Sequence, residues 1–194
     1  MANILQKSFY NRPTKTVALE LLGKVLCRKI GDKTIKGKIV EVEAYLGAKD
    51  LACHTSKGKT QRNEVMFGPA GRAYVYFIYG MYHCFNIVTE KENNPCAVLV
   101  RALEPINKFN KTFCGKPIYN ILNGPAKLCR EFQIDKNLNG WNLTVRKKLW
   151  IEDGEKIKLS QIKKAERIGV NYAGAWKDKL LRFYIKDNKF ISRK

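Results

Sequence analysis

The chain has 194 residues, 45% of them hydrophobic, and a formal charge of +20 from 37 Lys and Arg against 17 Asp and Glu. That apolar content excludes a disordered chain, and the length bounds one domain, expected to span residues 1–194. The charge calls for a polyanionic partner, nucleic acid before an anionic membrane, since no apolar run approaches the roughly 20 residues that span a bilayer.

Taken in order, "MANILQKSFYNRPTK" has no apolar core of a secretory signal. Cytoplasm or nucleoid in a prokaryote, or a nucleus, is therefore the expected compartment. "PTKTVALELLG" reads as a helix with Val17, Leu21 and Leu22 on one side and Gly23 as its stop. "VLCRKI", the turn "GDKT" and "IKGKIVEVEAY" read as a hairpin. Simple alternation puts Val40, Val42 and Ala44 on one face, and Ile39, Glu41, Glu43 and Tyr45 on the other. Residues 46–72 form a long, mostly irregular stretch, a usual home of function. "AYVYFIYGMYHCFNIVT" gives two strands turning near Gly80 and Met81, and "PCAVLVRALEP" a central strand. "NGPAKLCREFQI" is a helix with Pro125 in its first turn, whose free amides can receive a phosphate. "WNLTV", "LWIED" and "LRFYI" complete the strands. The expected fold class is α+β: one compact domain with a mostly antiparallel curved sheet flanked by helices.

The six cysteines have no C-x-x-C spacing, and His54 and His83 stand far apart. Reduced buried thiols and no metal site are expected. Two carboxylates beside Tyr45 are the unusual feature. An isolated E-V-E is best read as a solvated face paired with lysines, but a carboxylate repels phosphate in a nucleic-acid groove, so retaining one there needs a purpose. Beside an aromatic platform it can activate water and stabilise an oxocarbenium-like centre. Tyr74, Tyr76, Tyr79 and Tyr82 partly reflect β-propensity. Tyr79, next to the turn, can instead wedge into a base stack, and Tyr76 can line a pocket. Arg101 interrupts an apolar strand. It either pairs structurally or aims at the Glu43 region. Asn86 is a structural amide or a reader of a base edge.

"GKIVEVEAYLG", "TQRNEVMFGPAGRAYVYFIYGMYHCFNIVT", "AVLVRALEP", "NGPAKLC" and "RIGVNYAGAWKDKLLRFYI" together resemble the alkyladenine (3-methyladenine) DNA glycosylase family, mammalian alkylpurine type, in order along nearly the whole chain. The resemblance implies a monofunctional base-excision repair enzyme acting on double-stranded DNA. Such an enzyme flips an alkylated or deaminated purine and hydrolyses its N-glycosidic bond, and its fold carries a protruding hairpin that enters the minor groove. It implies Glu43 as the catalytic carboxylate, with Arg101 helping to hold the attacking water. Tyr45, His54 and Tyr76 form the base pocket, Asn86 disfavours guanine, and Tyr79 fills the vacated gap. Glu41, one strand repeat earlier, is given no catalytic role. No cofactor is implied, and a monomer is expected. A non-catalytic duplex-binding module has the same charge and aromatics but leaves Glu43 without a purpose. A bifunctional, strand-nicking glycosylase needs an amine nucleophile, which no motif position supplies.

Overall fold

The computed structural model describes residues 2–78, 80–106, 112–113, 116–117 and 120–193. Strands β1 (Val25–Ile30), β2 (Lys33–Tyr45), β3 (Ala73–Ile78), β4 (Tyr82–Thr89) and β5 (Cys96–Pro105) are followed by the two-residue strands β6 (Thr112–Phe113) and β7 (Lys116–Pro117), then β8 (Leu149–Glu152), β9 (Ile162–Ala165) and β10 (Arg182–Ile185). Among the described residues, β6 and β7 pair with each other, and the rest form an eight-stranded sheet in the order β3-β4-β5-β2-β1-β8, with β10 joining β2 to β9. All its pairings are antiparallel. Strand β2, at 13 residues, is the hub. Along one edge it pairs with β5 from Gly37 to Tyr45. Along the other it pairs first with β1 and then with β10. This hand-over curls the sheet, and β5 is central as expected.

Alternation sorts the side chains into two layers. Val42, Ala44, Val75, Phe85, Ile87, Val98 and Val100 face the main core. Against it pack α2 (Thr14–Leu21), through Val17, Ala18 and Leu21, and α3 (Pro125–Glu131), through Leu128 and Cys129. A shorter helix, α1 (Lys7–Tyr10), precedes them and buries Tyr10. Gly23 ends α2 with φ +87°, and a Cβ there would stand 2.3 Å from the Glu155 carbonyl oxygen, so only glycine fits. The opposite layer is a second cluster of Cys53, Met66, Tyr74, Val88 and Ala97, with Tyr45 and Tyr76 against it.

Simple alternation fails at one place in β2. The β2–β5 register slips between Ile39 and Glu41 and again between Glu41 and Val42, leaving Val40 and Arg101 without direct partners. These bulges reverse the expected faces. Ile39, not Val40, joins Val42 and Ala44 in the main core. Val40 instead packs with Ala102 and Ile191 in a small separate cluster.

Residues 46–72 hold single 3-10 turns at Gly47–Lys49 and Glu64–Phe67 and are otherwise turns and loop. "WNLTV" is not a strand. The Asn142 side-chain oxygen accepts from the Thr144 amide (3.1 Å) and hydroxyl (2.8 Å), and this local turn outcompetes a ladder. Strand β9, "IKKA", carries two lysines and no strand pattern of its own, and it forms by pairing with β10. Cys27, Cys53, Cys84, Cys96 and Cys129 are buried free thiols, while Cys114 lies outside the described residues. Burial pushes the Cys27 and Cys96 thiols up to about 12, which makes them poor nucleophiles. Among the described residues no helix is long and apolar enough to cross a membrane.

Candidate active site

The layer opposite the main core opens into a cavity of about 440 Å³, within the range of small-molecule sites. Alternation places Tyr74 and Tyr76 of β3, Cys84 and Asn86 of β4, Leu99 and Arg101 of β5, and Tyr45 of β2 on its lining. The far side comes from loops: Cys53, His54 and Arg62 of the 46–72 stretch, and Ile168 to Val170 with Tyr172.

Glu43 belongs to the same layer and is fully buried. Its Oε2 accepts from the Tyr45 hydroxyl at 2.8 Å. Its Oε1 accepts from the Ile168 amide at 2.8 Å and lies 3.1 Å from Arg101 Nη1. Tyr45, Ile168 and Arg101 all line the cavity, so the carboxylate stands directly behind it. An ionised carboxylate offers about four acceptor positions. Oε1 uses two and Oε2 one, which leaves Oε2 capacity for one further donor. Burial pushes the Tyr45 phenol well above its ordinary range, and Glu43 adds to the rise. Tyr45 therefore stays protonated and donates. Burial draws the Arg101 guanidinium down, but Glu43 and Glu41 outweigh it and hold its pKa above the usual value.

The aromatic side is built on His54. Its ring meets Tyr76 edge-on, with centroids 4.5 Å apart and planes at 78°, and its Nδ1 shares a 2.9 Å hydrogen bond with the Tyr74 hydroxyl. Burial, then the charge of Arg62, lowers the His54 pKa to about 4, so the imidazole is neutral near pH 7. Arg62 lies 5.4 Å from the Tyr76 centroid, and its Nη2 donates to the Phe77 carbonyl at 3.0 Å. Asn86 is 4% exposed, and its amide donates to the Tyr74 carbonyl at 3.2 Å. Opposite, the Arg167 guanidinium stacks 4.8 Å from the Tyr45 centroid. Both side chains of its ion pair with Asp50 are fully buried, with contacts of 2.5 and 2.8 Å. Among the described residues no three His, Cys, Asp or Glu side chains converge as a metal-ligand set.

Six of the seven residues singled out from the sequence, Glu43, Tyr45, His54, Tyr76, Asn86 and Arg101, thus converge on one cavity. Tyr79 lies outside the described residues. Glu41 is not on a solvated face: it is fully buried and ion-paired with Arg101 (3.3 Å) and Arg182 (3.0 Å). Sequence reasoning missed Arg62, Ile168 and the Asp50–Arg167 pair. The last joins residues 117 apart in the chain, and no local spacing announces it.

The family model described as "Methylpurine-DNA glycosylase (MPG)" matches residues 8–189. A protein of Clostridium perfringens (strain SM101 / Type A) is 47% identical, over 98% of this chain and 99% of its own length. One of Legionella pneumophila (strain Corby) is 51% identical, over 97% and 98%. One of Methanocella arvoryzae is 46% identical, over 98% and 96%. Each of the three bears the name "Putative 3-methyladenine DNA glycosylase". With a family model covering nearly the whole chain and full-length relatives near 50% identity, the chain belongs to the methylpurine-DNA glycosylase family.

Proposed function

We propose that this protein is a monofunctional DNA glycosylase that removes alkylated or deaminated purines of the 3-methyladenine, 7-methylguanine and hypoxanthine type. The observation that carries it is the fully buried Glu43, fixed by Tyr45, Ile168 and Arg101 at the back of an aromatic cavity, in a chain of charge +20. The charge holds duplex DNA. The target nucleotide leaves the stack and its base enters the cavity, at a cost that is lower for a lesion that pairs badly. Tyr45 lies against one face of the base, with Tyr76 and His54 opposite. Asn86 disfavours guanine, and Tyr79 occupies the gap left in the duplex.

Glu43 accepts a proton from water as the water oxygen bonds to the anomeric carbon. The glycosidic bond breaks and its electron pair passes to the base. A cationic alkylpurine leaves neutral by taking that pair, whereas a neutral base such as hypoxanthine also needs a proton. Arg101, 3.1 Å from Glu43 Oε1, orients the water. The product is an abasic site, and the reaction uses no lysine imine and no metal or organic cofactor. The protein acts as a monomer in the compartment that holds the chromosome.

The test is excision from duplexes carrying one 3-methyladenine, 7-methylguanine or hypoxanthine, read as alkali-labile sites. Release of free base without strand nicking, and without a borohydride-trappable adduct, supports the reading. Binding without release would leave a duplex-binding module. Nicking with a trapped imine would show a bifunctional enzyme.

A further inference from the structure

The buried Glu41 has no part in that mechanism, yet it gathers as many partners as Glu43. Its Oε1 lies 3.3 Å from Arg101 Nε, 3.0 Å from Arg182 Nη1 and 2.9 Å from the Ser192 hydroxyl, and its Oε2 accepts from the Ser192 amide at 2.5 Å. The Ser192 oxygen in turn stands 3.4 Å from both Nε and Nη2 of Arg101. Arg182 Nη1 also donates to the Arg193 carbonyl at 2.9 Å. Residues 190–193 therefore lie against β2 and β5 at this point, and the strand bulge is what receives them. By turning Val40 and Ala102 out of the main core, it forms the apolar seat in which Ile191 is buried, with Phe190 beside it.

The consequence concerns Arg101. A guanidinium is planar and rigid, so fixing the Nε and Nη2 side determines where Nη1 points. Glu41 and Ser192 hold that side, and Nη1 is directed to Glu43 Oε1 at 3.1 Å. Without them Arg101 could turn to meet Glu43 through both nitrogens or swing toward a phosphate. The two carboxylates and two arginines form a cluster of balanced charge in which each arginine contacts Glu41 and one also reaches Glu43.

We propose that residues 190–193 are a strap that positions Arg101 for catalysis, with Ser192 and Glu41 as positioning residues and Ile191 as its apolar anchor. This rests on the glycosylase function proposed above. Ser192→Ala keeps the main-chain bond to Glu41 and removes only the hydroxyl. It should slow single-turnover excision by about 10-fold, the scale of one hydrogen bond to a charged group, with affinity for the lesion duplex unchanged. Ser192→Thr retains the hydroxyl and should restore the rate. Ending the chain after Ile191 removes both Ser192 bonds to Glu41, its contacts with Arg101 and the Arg193 carbonyl that Arg182 meets, and should slow excision further. A wild-type rate in Ser192→Ala, a matching loss of affinity, or failure of Ser192→Thr to rescue would each overturn the strap while wild-type excision stands. A wild-type protein that excises nothing would instead sink the function on which the strap rests.

Discussion

The cavity has two unlike walls. One is made of strands: Tyr45, Tyr76, Asn86 and Arg101, with Glu43 behind, stand on four neighbouring strands. Their directions follow from the pleat, because every second residue faces the same way. The other wall is made of loops, and buried polar contacts replace the ladder. Asp50 accepts from the amides of Leu46 and Ala52, both at 3.0 Å, and pairs with Arg167. Arg167 also donates to the carbonyls of Ala44 and Trp176, and the next residue supplies the amide to Glu43. Asn63 ties His54 and Gly58 together through their carbonyls, both at 2.9 Å. The strand wall holds the groups proposed to react, and the loop wall is a closure held by a few charges.

Removing the chemistry of the strand wall should have the largest effect. Glu43→Gln keeps the shape and can still accept from Tyr45 or Ile168, but it cannot take a proton. Single-turnover excision should fall about 100-fold or more, while lesion-duplex affinity stays normal or rises. Equal activity in Glu43→Gln and wild type would show that the base lies elsewhere.

The loop wall should break through stability instead. Asp50→Asn is isosteric but leaves the Arg167 cation buried without its counter-charge, in a site where, among the described residues, its Nε has no hydrogen-bond partner. Breaking one side of such a pair costs about 3–5 kcal/mol. The measurement is a denaturant transition: its midpoint should drop with the slope unchanged. Proteolytic cleavage should concentrate in residues 46–72. A midpoint equal to wild type would mean that the loop wall is held by something other than this pair.

The same contrast explains what the sequence revealed. Strand parity marks Tyr76 as able to line a pocket, but Asn86 and Arg101 stand on other strands, and only the family resemblance joins the three in one site. The parity of β2 misleads only at the bulge, where Ile39 and Val40 exchange faces. A bulge depends on what the partner strand and residues 190–193 offer, none of which is visible within "KIVEVEAY". The loop wall was illegible except for His54, which came from resemblance. Asp50 and Arg167 find each other through the fold, and the Ile168 contribution is a backbone amide that carries no side-chain signature.

A smaller effect concerns acid stability. The pKa of His54, near 6.5 when unfolded, falls to about 4 in the fold. Between those values the unfolded chain binds the extra proton, so His54 weakens the fold as pH drops from 6.5 toward 4 and contributes nothing to the slope above that window. His54→Gln cannot titrate. Its denaturant midpoint should therefore fall less between pH 7 and pH 5 than that of wild type. Parallel losses in the two proteins would show that the buried imidazole does not drive the change.

The smallest effect asks whether the loop wall only closes the cavity or also holds DNA. Arg62 is exposed at the cavity lining, and among the described residues no carboxylate pairs with it. Its known contacts are the Phe77 carbonyl and the face of Tyr76. If those contacts are its whole role, Arg62→Ala should disturb the aromatic wall and slow excision without altering how binding responds to salt. If Arg62 neutralises a phosphate, its loss should weaken damaged and undamaged duplexes alike. The slope of log K against log salt should then flatten by about 1, the value of one released counterion. We expect the second outcome, because on the proposed function a cation at the mouth of this cavity stands where the backbone of the entering nucleotide would pass. Arg62→Lys separates the two contributions: it keeps the charge and should retain the salt slope, while losing the planar group that lies over Tyr76. A slope unchanged in Arg62→Ala would confine the loop wall to closing the cavity.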